Sequence, residues 1–211
     1  MTGYGAGLRT TATARFSDYF APDAVYSLFK YDAPLQDPET AWRRLIAAWE
    51  RSRRRRTKSG IEGVHKEVQA LLKHVLDLSE NAEINLEPNG IFVQENEERI
   101  PLDAMGDGHR ALVKLTLDIL VWFLLKLNED REGKGEQRNW RPIPIDQDGR
   151  PKVEGIVIID EIEQHLHPKL QRGILKRLYD KFPHVQFIMT THSPLCVSGT
   201  ADTGDKGFFR Y

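Results

Sequence analysis

Gly155-Ile156-Val157-Ile158-Ile159-Asp160-Glu161 is an apolar run that ends in two acids. A second run, Val185 to Met189, ends in Thr190-Thr191-His192-Ser193-Pro194. Both read as buried strands, because both faces are apolar and β-branched residues are frequent. A helix is expected between them. Two parallel strands joined by a helix place Asp160, Glu161 and His192 at the C-terminal edge of one sheet, the edge where doubly wound folds do their chemistry. An acid pair beside a histidine suits nucleotide hydrolysis: one carboxylate for Mg²⁺, one for the attacking water, one imidazole for the terminal phosphate.

Outward from these strands, the spacing predicts a helix over residues 168–181 that buries Leu170, Ile174, Leu175 and Leu178. Residues 128–152 are charged and carry Pro and Gly, as a long exposed loop or insertion would. A long helix is expected from about His109 to Leu127, apolar on every side in its middle and so buried between layers. Residues 83–101 read as short strands with a turn at Pro88-Asn89-Gly90. Further upstream, Asp37-Pro38 looks like a helix start, and Trp42, Leu45, Ile46 and Trp49 follow at amphipathic spacing. That helix runs into Arg51-Ser52-Arg53-Arg54-Arg55-Arg56 and is expected to break at Gly60. A second helix carries Ile61, Val64, Val68, Leu71, Leu72 and Val75 on one face. Two helices in succession suggest a helical hairpin that projects as an arm. The chain thus divides into 1–101, a lateral segment with the arm and short strands, and 102–211, the core.

The 211 residues are 40% hydrophobic, enough for a sizeable core, and the net charge of -1 gives no global attraction to nucleic acid or membrane. Positive charge is instead local: Arg53, Arg54, Arg55 and Arg56 form a run suited to phosphates of DNA, or equally a solvated helix end. A single cysteine, Cys196, excludes an internal disulfide and fits a reducing compartment. The first residues show no signal-peptide pattern, and no apolar run approaches the ~20 residues needed to span a bilayer. A cytoplasmic protein is expected.

Ile156 to Glu161 has the form of a Walker B motif. It runs into Glu163-Gln164-His165-Leu166-His167-Pro168, and Thr191-His192-Ser193-Pro194 follows. This order resembles the ABC-type ATPase domains of the prokaryotic AAA-labelled family, similar to those of OLD-family nucleases and of RecF and SMC-like ATPases. There Walker B leads directly into a D-loop of the form E-x-x-x-H-L-H-P, and an H-loop reads T-T-H-S-P. Upstream, Met105-Gly106-Asp107-Gly108-His109-Arg110 resembles the family signature L-S-D-G-x-R, with Gly106 in the serine position, so that a hydroxyl donor is lost. The N-terminal stretches around Tyr4-Gly5-Ala6 and Ser27 to Asp32 are similar to the family's lateral segment.

The resemblance implies an α/β fold, a partial ABC-type P-loop NTPase with a parallel sheet core and a helical arm insertion. It implies ATP and Mg²⁺ as cofactors. Asp160 would hold the metal, Glu161 would orient or deprotonate the water, and His192 would touch the γ-phosphate. Gly106, Asp107 and Gly108 would serve a partner's nucleotide across a homodimer or a pairing with a related ATPase subunit, and His165 belongs to the D-loop beside it. The implied settings are DNA repair and antiviral defence, with DNA and a nuclease or effector as further partners. The departure is that G-x-x-x-x-G-K-[ST] is missing: Gly133-Lys134 lies in a charged loop with no strand before it. The chain therefore looks like the C-terminal portion of such a domain. Two other readings stay open, a catalytically incomplete interaction subunit and a metal-dependent hydrolase built on His165 and His167 with Asp160 and His192.

Overall fold

The computed structural model describes residues 2–4, 39–40, 42–43, 59–87, 90–127 and 143–200. The central sheet has three parallel strands: β1 (Thr2–Tyr4), β5 (Gly155–Ile159) and β6 (Val185–Met189), in the order β1-β5-β6. Tyr4 pairs with Ile159, and Ile159 with Met189, so all three strands end at one level. Val157 and Ile159 are fully buried, as expected of a strand covered on both faces. β1 comes from the expected lateral segment yet joins the sheet of the core.

Helix α2 (Asp107–Leu127) supports this sheet. Its residues from Ala111 to Val121 are all buried, and the ring of Phe123 packs against Gly155, where an added Cβ would approach to 2.9 Å. The buried stretch includes Lys114, Thr116 and Asp118, three polar residues that an all-apolar reading passes over. The Thr116 hydroxyl donates to the Leu112 carbonyl at 2.7 Å, a helical turn back.

Helix α3 (Pro168–Lys181) links β5 to β6, with bounds and buried face close to those read from the sequence. His167 is its N-cap and Pro168 its first residue. Arg177, nine-tenths buried, donates to the Leu170 carbonyl at 2.9 Å and lies 3.4 Å from Asp77. A short helix, α4 (Pro194–Gly199), follows β6 and packs on α3 so closely that a Cβ on Gly199 would collide with the Arg172 carbonyl.

The second sheet is antiparallel: β2 (Ala82–Glu87), β3 (Gly90–Glu95) and β4 (Glu98–Pro101). Ala82, Ile84 and Leu86 alternate into the core, with Ile91 and Val93 beside them. Asn96 makes the β3–β4 turn at φ +56°, a conformation asparagine tolerates.

Helix α1 (Ser59–Val75) is the second helix of the expected hairpin. Its apolar face, Val68, Leu71, Leu72 and Val75, is buried, and the Gln69 amide donates to the Ile84 carbonyl of β2 at 2.6 Å. Along this face the helix lies against the core, where its stripe is covered by β2, α2 and α3. Gly60 sits in its first turn. The preceding helix is described only at residues 39–40 and 42–43, where Trp42 is buried, and the arginine run lies outside the described residues. In the described part of the expected loop, Ile145 and Pro151 form a bridge, with Ile143 buried, and Val153 just beyond the loop is buried too. Among the described residues no helix is long and apolar enough to cross a membrane.

Candidate functional site

Strand β5 ends at Ile159, and Asp160 and Glu161 follow at the sheet edge. The ladder between β5 and β6 continues by one bond past the strands, from the Thr190 amide to the Ile159 carbonyl at 3.0 Å. The chain then turns sharply. Glu161 has φ +51°, a left-handed conformation rare for a residue with a Cβ. Backbone strain of this kind costs about 1–3 kcal/mol and persists where the surroundings over-determine it.

Here the surroundings are the β6 end. The Thr190 hydroxyl donates to Asp160 Oδ1 and accepts from the Glu161 amide at 2.8 Å, and the Thr190 carbonyl accepts from the Ile162 amide at 3.2 Å. One threonine thus holds the two acids apart. With Thr190 on Oδ1, Asp160 is fixed at its base, and Glu161 is turned toward the next loop.

Glu161 Oε1 lies 3.7 Å from His192 Nε2. Its other oxygen accepts from the Gln164 amide side chain. The His192 ring is 86% exposed, so no wall of side chains holds it, whereas Glu161 is 29% exposed. The structure therefore brings Asp160, Glu161 and His192 to one place, two acids on one strand end and an exposed imidazole on the next.

Two further side chains stitch the loops together. Glu163 Oε1 accepts from the His192 amide at 2.6 Å. Burial opposes its charge, but the nearby Thr191 hydroxyl and the bond from the His192 amide outweigh that and hold its carboxyl below the ordinary glutamate range. Gln171 donates to the Leu166 carbonyl at 2.9 Å and accepts from the Ser193 hydroxyl at 2.6 Å. Each of Thr190, Glu163 and Gln171 has a partner more than twenty residues away, so no local pattern marks the three as a group. Glu163 alone stands inside a motif that could have drawn attention to it.

The glycine loop before α2 stands against the D-loop. Gly106 has φ +90° with open space around its missing Cβ. Gly108, in the first turn of α2, is packed so tightly that a Cβ would lie 2.6 Å from the His165 carbonyl oxygen. Asp107 is 83% exposed and 3.8 Å from Arg110, which also meets Asp103 at 3.1 Å. His165 has φ +62° and an exposed side chain. His109, next to Gly108, bonds through Nδ1 to the Met105 carbonyl at 3.0 Å, and burial lowers its pKa below the usual histidine value despite that bond.

The four-ligand metal arrangement is not what forms. His167 Nδ1 accepts from the Lys169 amide at 3.3 Å as the cap of α3, and His165 is turned by its left-handed backbone. Among the described residues no group of three or more His, Cys, Asp or Glu is placed to hold a metal ion. Cys196 is buried beneath the H-loop, and that burial pushes its thiol up, away from a reactive thiolate.

A family model described as "AAA domain, putative AbiEii toxin, Type IV TA system" matches residues 10–198. The chain belongs to that family, and its fold is α/β with a parallel sheet at its core. It is 35% identical over 101 residues to Septu protein PtuA of Bacillus mycoides (strain KBAB4), a match covering 48% of this chain and 11% of that protein. It is 31% identical over 134 residues to the Retron Vc95 probable ATPase of Vibrio cholerae serotype O1 biovar El Tor, covering 63% of this chain and 23% of that one. The matches thus span about a quarter or less of these relatives. A solved Smc head bound to the C-winged helix domain of ScpA aligns over 77% of this chain and 47% of its own, at 12% identity and a TM-score of 0.44.

Proposed function

We propose that this AAA-family chain is the Walker B, D-loop and H-loop part of an ATP-hydrolysing unit, with the phosphate-cradling loop supplied by another segment or subunit. One observation carries the reading: Glu161 and His192, on neighbouring parallel strand ends, face each other across 3.7 Å beside an Asp160 fixed by Thr190. That spacing lets Glu161 orient or deprotonate a water while the exposed His192 ring reaches a terminal phosphate. Mg²⁺ fits this donor set, since in nucleotide sites it is held by one or two carboxylates and completes its shell with phosphate oxygens and water. Asp160 is the carboxylate that would hold it. When bound, the ion neutralises charge on the transferring phosphoryl group.

In this reading Gly106, Asp107, Gly108 and the helix N-terminus behind them meet a partner's nucleotide, in a homodimer or a pair with a related ATPase subunit. Gly108 is committed to its own D-loop, so contact with phosphate falls to the Gly106 and Asp107 backbone. His165, exposed beside them, would meet the same partner. The retron and Septu relatives favour the defence setting over DNA repair, with DNA and a nuclease or effector as partners.

The test is Glu161→Gln in a protein that carries this chain with a P-loop segment. Hydrolysis is expected to fall by roughly 10²-fold or more, the scale of lost general base catalysis. ATP binding should be retained, because Asp160 remains. Loss of binding, measured by fluorescent-nucleotide titration, would make Glu161 a metal ligand or a structural residue and overturn its assigned role.

A further inference from the structure

The His192 ring has no packing to hold it, yet a group that reaches a phosphate must be held somewhere. Its backbone supplies the hold. The β5–β6 ladder ends at Ile159 and Thr190 because the chain beyond Asp160 turns away at Glu161. The His192 amide has therefore outrun its neighbouring strand and has no backbone carbonyl opposite it. The carboxylate of Glu163 takes that place at 2.6 Å. The Thr191 hydroxyl accepts from the Ser193 amide at 3.1 Å. Gln171 pins the next residue, Ser193, to the D-loop carbonyl of Leu166.

We propose that Glu163 is a positioning residue for His192: its carboxylate stands in for the missing strand and sets where the imidazole sits relative to Glu161. The proposal rests on the reading of His192 as the γ-phosphate contact. A charged acceptor suits the task better than a neutral one, since a hydrogen bond to a carboxylate is shorter and roughly twice as strong. It also makes the position of His192 follow the D-loop, the same loop whose His165 carbonyl lies against Gly108. A partner that shifts the D-loop would move His192 with it.

Two measurements test this. In the ¹⁵N-labelled 211-residue chain, Glu163→Ala should speed hydrogen exchange at the His192 amide while the β5 and β6 amides keep their protection. Glu163→Gln, which keeps a carbonyl acceptor, should restore most of the protection. In the P-loop-bearing protein, Glu163→Ala should lower kcat between roughly tenfold and a hundredfold, the cost of a misplaced group. KM for ATP should stay within about twofold, since the ground-state contacts it reports are left in place. His192→Ala combined with Glu163→Ala should be no slower than His192→Ala alone.

An unchanged His192 amide in Glu163→Ala, or a further loss of kcat in the double variant, overturns the proposal. If His192→Ala itself leaves kcat intact, the γ-phosphate reading is what falls, and the functional half of this inference with it; the exchange measurement still decides whether Glu163 anchors the loop. Should Glu163→Ala not fold, Glu163→Asp takes its place, with the charge kept and the oxygen drawn back by one methylene, and the same outcomes apply.

Discussion

Gly106 and Gly108 are one residue apart and are glycines for different reasons. At Gly106 the backbone is left-handed at φ +90° in open space, so an added Cβ meets only torsional cost. At Gly108 the backbone is helical, but the Cβ would run into a carbonyl oxygen at 2.6 Å. Gly106→Ala is expected to lose about 1–2 kcal/mol of stability, the scale of an L-residue held in the left-handed region. Gly108→Ala gains about 1 kcal/mol of helix propensity, but the clash is with backbone and cannot rotate away. A net loss of about 1–3 kcal/mol is expected from overpacking. Urea unfolding of both variants checks this. A stabilised Gly108→Ala would mean that the D-loop does not sit against α2 in solution.

At the scale of elements, the joints between helices and loops carry the groups that respond to pH. His74, at the last turn of α1, has its pKa lowered first by burial and then by the charge of Lys181, with Asp180 opposing. His109, in the first turn of α2, likewise has its pKa lowered by burial. A histidine whose folded pKa is depressed contributes stability that is fully present above its ordinary 6.5 and is lost as pH falls through the folded value. Glu163 is depressed too, so its contribution is present above its ordinary 4.5 and lost further down. Stability should therefore decline in two steps on acidification, the first beginning below pH 6.5. Urea midpoints across a pH series measure it. His74→Gln should shrink the upper step, and Glu163→Gln the lower one. A flat profile between pH 7 and 5 would show that the two histidines are solvated in the native state.

For the molecule as a whole, the decisive feature is a sheet edge with acids and imidazole in a 211-residue sequence that carries no G-x-x-x-x-G-K-[ST]. A P-loop supplies most of the backbone donors that hold a triphosphate. The chain on its own is expected to turn over ATP far below the ~10 s⁻¹ typical of enzymes. Steady-state assays decide it. Turnover near that value, abolished by Glu161→Gln, would show that the phosphate is held some other way. The arginine run is the one dense positive cluster in a chain of net charge -1. If it meets DNA, changing Arg53, Arg54, Arg55 and Arg56 to Gln should weaken binding and flatten the salt dependence by up to about 0.9 in log–log slope per lost contact. Fluorescence anisotropy across salt concentrations separates this from a solvated helix end, for which parent and variant would coincide.

The two strands, the helix joining them and the placing of Asp160, Glu161 and His192 at one edge were legible from residues alone. Each rests on a local pattern: an unbroken apolar run makes a buried strand, a 3.6-residue period makes a helix, and parallel strands must end on the same side. Helix α1 was legible as a helix but not as part of the core, because a stripe of Val68, Leu71, Leu72 and Val75 says that it needs cover without saying what covers it. The same holds for Glu163. Its sequence neighbours describe an acid in a polar loop. Only folding lays β6 beside β5, ends their ladder at Thr190, and leaves the His192 amide without a strand to bond. Hydrogen bonds between residues about thirty positions apart leave no periodic trace, so their acceptors became visible only when the chain was closed in space.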